Sequence, residues 1–209
     1  MRIAVFGATG RTGRPLVRQA LDRGHDVVAF ARSPSNLDAE DDALTVVGGD
    51  AYTGESVGEA VTGADAVVSV LGQTDAGPDD LLTVAGDHVL DAMTEADVDR
   101  FVTLVGAGVR EDGESVPLAG KVMGAVLRLF ARDVLADAEE HVRRTRDTDL
   151  EWTVVRAPRL NDGDGTGEYR AGDVRLGFEA IDRPDVATFI LDCLEDELYV
   201  GEMPKVGSA

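Results

Sequence analysis

The chain has 209 residues, 44% hydrophobic and 29% charged, which is enough apolar material for one large packed domain and excludes the composition of a disordered chain. Forty acidic residues against twenty basic ones give a net charge of −20, which repels nucleic acid and excludes it as a partner. No apolar run approaches the roughly 18 residues that a membrane span requires, and residues 1–6 lead straight into a strand-like segment with no signal-peptide pattern, so neither a membrane partner nor export is expected and a cytoplasmic location follows.

The charge is spread along the whole chain. Of the twenty basic residues only Lys121 and Lys205 are lysines. Acidic, arginine-dominated composition of this kind reads as a halophilic protein of a salt-rich cytoplasm, where surface carboxylates keep the molecule hydrated and salt screens their repulsion. The single cysteine, Cys193, has no partner for a disulfide and reads as a small core residue. With three histidines and that one cysteine, no ligand spacing suggests a metal site.

In chain order, residues 2–6 (Arg-Ile-Ala-Val-Phe) form a β-rich run ending at glycine. From Thr12 a helical face carries Leu16, Val17, Ala20 and Leu21 and stops at Gly24. Strands are predicted at 25–30, 44–48, 66–71, 101–105 and 152–156, each short, β-branched and almost continuously apolar, as strands buried on both faces are. Helices are predicted at 55–61, 79–96, 121–146 and 184–194, the last after an N-cap at Asp182. This alternation implies an α/β fold with a doubly wound parallel sheet, in one domain over residues 1–209. Two Gly-, Pro- and Asp-rich stretches, 106–120 and 158–177, follow strands in the second half. They read as substrate-side loops, because ligands of open α/β sheets bind beyond the carboxyl ends of the strands.

The strongest local signal is Gly7-Ala8-Thr9-Gly10-Arg11-Thr12-Gly13, between the first strand and the first helix. A diphosphate must approach bare backbone N–H groups at a helix N-terminus, and a Cβ would hold it away. Gly7 and Gly10 supply that access, Gly13 lets the helix lie against the strand, and Thr9 and Thr12 offer hydroxyls. A purely structural tight turn is the alternative. At the end of the second strand, where NAD-binding proteins place an acid for the ribose 2′-hydroxyl, stands Arg32, which favours NADP(H) over NAD(H) by pairing with the 2′-phosphate. Arg11 reads either as a second cation on that side or as a solvated surface residue. Asp50 and Ala51 after the third strand, and Leu71, Gly72 and Gln73 after the fourth, lie where adenine and the pyrophosphate-ribose would cross the strand ends. Asp50 reads equally as a turn cap and Gly72 as a strand stop.

These residues resemble the atypical short-chain dehydrogenase/reductases of the NAD(P)-binding, NmrA-like and flavin reductase/biliverdin reductase B type. The resemblance covers nearly the whole chain. It rests on the glycine turn, Ala31-Arg32-Ser33, Gly49-Asp50, Asp65-Ala66-Val67-Val68 leading to Leu71-Gly72, and Trp152-Thr153-Val154-Val155-Arg156-Ala157-Pro158. It implies a Rossmann fold with the pyrophosphate on Thr9, Gly10, Arg11 and Thr12, the 2′-phosphate on Arg32 and Ser33, adenine near Asp50 and Ala51, and nicotinamide beside Ala157 and Pro158. It also implies reduction of a small-molecule acceptor such as a flavin or tetrapyrrole, or cofactor sensing without turnover.

One departure bears on the chemistry. The Tyr-x-x-x-Lys pair that exchanges a proton with a carbonyl or alcohol is absent: Tyr52, Tyr169 and Tyr199 are followed at that spacing by Ser56, Asp173 and Met203, and the two lysines are preceded by Pro117 and Gly201. The partner serine is also missing from Val105-Gly106-Ala107-Gly108. Hydride transfer to a flavin, quinone or tetrapyrrole-like acceptor, whose proton comes from water, remains compatible. The alternatives are a non-catalytic NAD(P)H-binding regulator and a nucleotide-sugar epimerase or dehydratase relative, the latter weakened by the short chain. The catalytic residues are not fixed by the sequence. Arg159, beyond Pro158, reads as an anion contact or a salt-bridge partner. His141, sharing a predicted helical face with Leu127, Phe130, Val134 and Ala138, reads as a proton donor or a core histidine.

Overall fold

The computed structural model describes residues 1–37, 41–73, 77–111, 114, 132–177 and 179–209. β1 (Arg2–Phe6) lies between β2 (Asp26–Ala31) and β4 (Ala66–Ser69), with β3 (Leu44–Gly48) outside β2 and β5 (Arg100–Gly106) and β6 (Glu151–Ala157) continuing beyond β4. These six strands are parallel, in the order β3-β2-β1-β4-β5-β6. The chain therefore winds outward twice from β1, and the reversal between β1 and β4 opens the crevice where such sheets take ligands. Past β6 the sheet is extended by β10 (Lys205–Ser208), parallel to β6, and closed by β8 (Tyr169–Gly172), antiparallel to β10.

The helices are α1 (Gly13–Asp22), α2 (Val57–Val61), α3 (Leu81–Glu95), α4 (Arg132–Arg146) and α5 (Arg183–Glu195). Along β1, Ile3 and Val5 face one side with Leu16 and Val17 of α1 and Phe189 and Ile190 of α5. Ala4 and Phe6 face the other, with Val89 and Met93 of α3 and Phe101 of β5. Both faces of the central strands are thus buried, which is why they read as continuous apolar runs and not as an alternation; β3, at the sheet edge, departs from that expectation, with Thr45 and Val46 exposed. Each fully buried Phe or Ile in these layers contributes about 1.5–3 kcal/mol of transfer free energy. Cys193 is buried within the α1/α5 layer.

Differences from the sequence reading cluster in the second half. The stretch 158–177 is not only loop: it contains β7 (Arg159–Asn161), which pairs in parallel with β9 (Ala180–Asp182), and β8. These strands have three or four residues with mixed burial, so their pairing is dictated by tertiary context and leaves little periodicity. Asp182 stands at the N-cap of α5, but its side chain makes no capping bond. Of the helix predicted over 121–146, residues 121–131, with Leu127 and Phe130, lie outside the described residues, as do Lys121 and Pro117. No helix among the described residues is long and apolar enough to cross a membrane.

Candidate functional site

The glycine turn is shaped by backbone contact. Gly7 has φ +85°, and a Cβ there would stand 2.9 Å from the carbonyl oxygen of Val70 at the end of β4. A Cβ on Gly13 would lie 2.1 Å from the Gly7 carbonyl oxygen, so only glycine lets α1 start this close to β1. The Gly10 N–H donates to the Gly7 carbonyl at 2.9 Å and the Arg14 N–H to the Gly10 carbonyl at 3.0 Å. The N–H groups of Arg11, Thr12 and Gly13 find no acceptor among the described residues. Gly10 and Arg11 are exposed, Thr9 is half-buried and Thr12 is buried without making a side-chain capping bond. Unengaged amides at the start of a ten-residue helix carry the positive end of its dipole, a ready partner for a phosphate.

Parallel strands bring the other sequence-named positions to the same carboxyl edge. Arg32 and Ser33, just past β2, are exposed, and Arg32 has no carboxylate partner among the described residues. Arg11 is different: its Nη1 pairs with Asp162 Oδ2 at 3.1 Å, while Asp162 Oδ1 takes Nη1 of the buried Arg183 at 2.5 Å. Asp50 organises a turn, its Oδ1 accepting the Tyr52 N–H at 2.9 Å and its carbonyl the Glu55 N–H at 3.1 Å. Ala51 is buried and its carbonyl accepts from His88 Nδ1 at 3.0 Å. Past β4, Leu71 packs against the α3 layer, Gly72 is exposed, and Gln73 is half-buried and hydrogen-bonded to Asp79 and Asp137. At the end of β6, Ala157 is buried with its carbonyl accepting the Ala107 N–H at 2.7 Å, and Pro158 is half-buried.

The two side chains named for catalysis sit differently. His141 is 2% exposed, and its Nε2 lies 3.0 Å from Thr103 Oγ1 on β5. A Cβ on Gly86 would come within 2.3 Å of its Nδ1. Burial, opposed by the nearby Asp137 carboxylate, lowers its pKa from 6.5 to about 4, so it is neutral at neutral pH. Its surroundings are those of a core residue. Of its predicted face, Ala138 is buried while Val134 is 50% exposed. Arg159 opens β7, is exposed and has no carboxylate partner among the described residues.

A cavity of about 500 Å³ opens on the far side of β6, lined by Glu114, Arg156, Tyr199 and Lys205 among others and by none of the residues predicted from the sequence to bind cofactor or act in catalysis. Burial alone would raise the pKa of Glu114. Hydrogen bonds from Lys205 and Arg156 outweigh it and hold the carboxyl at about 2.

Sequence reasoning missed Asp137 and Asp162, the carboxylates that tie Gln73 and Arg11 in place. Asp137 lies four residues before His141, on the buried side of its helix. An acid on an apolar helical face was the available signal, hidden in a chain where acids are everywhere.

Comparison with known proteins gives the family and the fold. The profile of the NAD(P)H-binding family matches residues 7–197. The uncharacterised protein YwnB of Bacillus subtilis is 28% identical over 213 aligned positions, covering 97% of this chain and 96% of its own. Among solved structures, the oxidoreductase YlbE of Lactococcus lactis superposes with a TM-score of 0.82 at 20% identity, over 100% of this chain and 91% of its own. A proposed NADH-flavin reductase of Streptococcus pneumoniae superposes with a TM-score of 0.79 at 23% identity, over 100% of both chains. At these identities the two structures establish the Rossmann fold.

Proposed function

We propose a function from one premise: this chain belongs to the NAD(P)H-binding family. In our reading it is an NADP(H)-dependent oxidoreductase, passing a hydride to a planar conjugated acceptor such as a flavin, quinone or tetrapyrrole. The observation that carries it is the set of unengaged amides at Arg11, Thr12 and Gly13, in a turn whose glycines keep Cβ atoms out of the way. The residues fit the cofactor: those amides receive its diphosphate, and the exposed Arg32 with Ser33 receives the ribose 2′-phosphate. Asp50 and Ala51 form the adenine end and Ala157 and Pro158 the nicotinamide end. When bound, the nicotinamide supplies the hydride. The chain's part is to bind and orient. With no Tyr-x-x-x-Lys pair and His141 buried and neutral, an acceptor that takes its proton from water suits this site best. Arg159 is the side chain we assign to an anionic group on that acceptor. The acidic surface supports a working place in a salt-rich cytoplasm.

Calorimetry in molar KCl tests the reading. NADPH should bind more tightly than NADH, and Arg32→Asp should erase that preference by removing charge-assisted hydrogen bonds worth about 1.5–3 kcal/mol, roughly ten- to hundredfold in Kd. No heat of association with either nucleotide would end the assignment. Multiple turnovers of NADPH oxidation with FMN, a quinone or a tetrapyrrole support the enzyme. Tight binding without turnover would replace it with a cofactor-sensing regulator.

A further inference from the structure

Asp137 is a carboxylate only 6% exposed, on α4, with no place in the site as the sequence reads it. Its Oδ1 accepts the Thr83 N–H at 2.9 Å, its Oδ2 accepts the Leu82 N–H at 2.9 Å, and its backbone carbonyl accepts Thr83 Oγ1 at 3.1 Å. It therefore caps the N-terminus of α3 from a neighbouring helix. The residue at the N-cap position itself, Asp80, makes no capping bond and accepts the Tyr52 hydroxyl instead.

The same Oδ2 takes one further donor, Gln73 Nε2 at 2.7 Å, and that nitrogen also donates to the Asp79 carbonyl at 2.5 Å. A primary amide has two N–H bonds, and both are now engaged by groups that can only accept. The amide cannot flip without setting its oxygen against two acceptors. Its Oε1 is left without a donor among the described residues. Gln73 follows β4, which lies between the glycine turn after β1 and the strand ends of β5 and β6. A cofactor stretched along that edge places the ribose on the nicotinamide side of its diphosphate there.

We propose that Asp137 is a positioning residue for the cofactor: by holding both N–H groups of Gln73, together with the Asp79 carbonyl, it fixes an acceptor oxygen at the end of β4 that takes a hydroxyl of the nicotinamide-side ribose. This rests on the nucleotide-binding reading above. In Asp137→Asn the new amide group opposes the Gln73 amide, which turns its NH2 outward and presents a donor where an acceptor stood.

The test measures binding of NADPH and of adenosine 2′,5′-bisphosphate, which has the 2′-phosphate but ends before the second ribose. Wild type, Asp137→Asn and Gln73→Leu are compared by calorimetry, with melting curves in parallel. Gln73→Leu leaves the capping bonds of Asp137 to α3 in place, so it reports even where Asp137→Asn fails to fold. Both variants should weaken NADPH about tenfold, one hydrogen bond's worth, and leave the bisphosphate within twofold of wild type. Equal losses for both ligands would make the role of Asp137 merely structural and overturn the proposal. So would NADPH binding by Gln73→Leu that matches wild type. Wild-type protein that binds neither ligand overturns the nucleotide reading and this inference with it. Wild type that binds both, with variants lacking the selective loss, overturns the Asp137 assignment alone.

Discussion

The burial of His141 has a thermodynamic consequence that can be measured without any ligand. Folding lowers its pKa from 6.5 to about 4, chiefly through desolvation. Between those values the unfolded chain holds a proton that the folded chain refuses, so stability rises with pH across the window. Towards acid, the contribution is intact above about pH 6.5, falls as the pH approaches 4, and is fully lost below it. A tenfold change in proton affinity corresponds to about 1.4 kcal/mol, which makes the loss roughly 3 kcal/mol. Other groups titrate too. Glu114 is pushed up by burial but held at about 2 by Lys205 and Arg156, and Glu140 is held at about 2 by Arg143 and Arg144. Both lose their contributions below about pH 4.5, and protonation also relieves the net charge of −20. These effects are common to a variant in which position 141 cannot titrate. The assay is urea unfolding of wild type and His141→Gln at fixed molar KCl from pH 7.5 to 4. The difference in unfolding free energy between the two proteins should shrink by roughly 3 kcal/mol as the pH falls through the window. Parallel curves, or a difference that grows in acid, would refute the argument.

Three further outcomes are expected. Gly13→Ala drives a methyl to 2.1 Å from a backbone oxygen and should destabilise the protein by about 1–3 kcal/mol or abolish folding, as read by melting temperature. In Gly10→Ala the methyl meets only the Gly7 oxygen, at 3.0 Å, and faces outward, so stability should hold within about 1 kcal/mol while NADPH affinity drops at least tenfold; retained affinity would mean that no phosphate passes over Gly10. Lowering KCl from molar to millimolar should reduce the melting temperature, since 40 acidic residues against 20 basic ones then repel unscreened; an unchanged melting temperature would remove the case for a salt-adapted surface.

The first half of the fold was legible because β1, β2 and β4 are buried almost throughout, while the edge strand β3, with Thr45 and Val46 exposed, was read from its β-branched run alone. Residues 2–6 and 44–48 were placed to the residue, and the strand read at 66–71 starts where Ala66–Ser69 does and ends two residues later. Beyond β6 the signal fails for a physical reason. β10 carries Lys205, Val206, Gly207 and Ser208, and β8 is half-buried throughout. Their order is imposed by antiparallel pairing with each other, with Ser208 opposite Tyr169, and a single short sequence contains no trace of its partner.

The glycine turn shows how much of a site such a motif encodes. Gly7 and Gly13 are required by contacts within the protein, the Val70 carbonyl for one and the Gly7 carbonyl for the other. A fold needing that close approach would keep both with no ligand at all. The pattern therefore reports the βα junction first. What points beyond the fold is the set of groups left without a partner among the described residues: the amides of Arg11 to Gly13, the guanidinium of Arg32 and the oxygen of Gln73. None of these can be read from residue spacing, because whether a donor is engaged depends on carboxylates far away in sequence. Asp162 engages Arg11 across 151 positions and Asp137 engages Gln73 across 64. Sequence names the residues that can meet a ligand, and the pairing of distant acids decides which atoms of those residues remain available to do so.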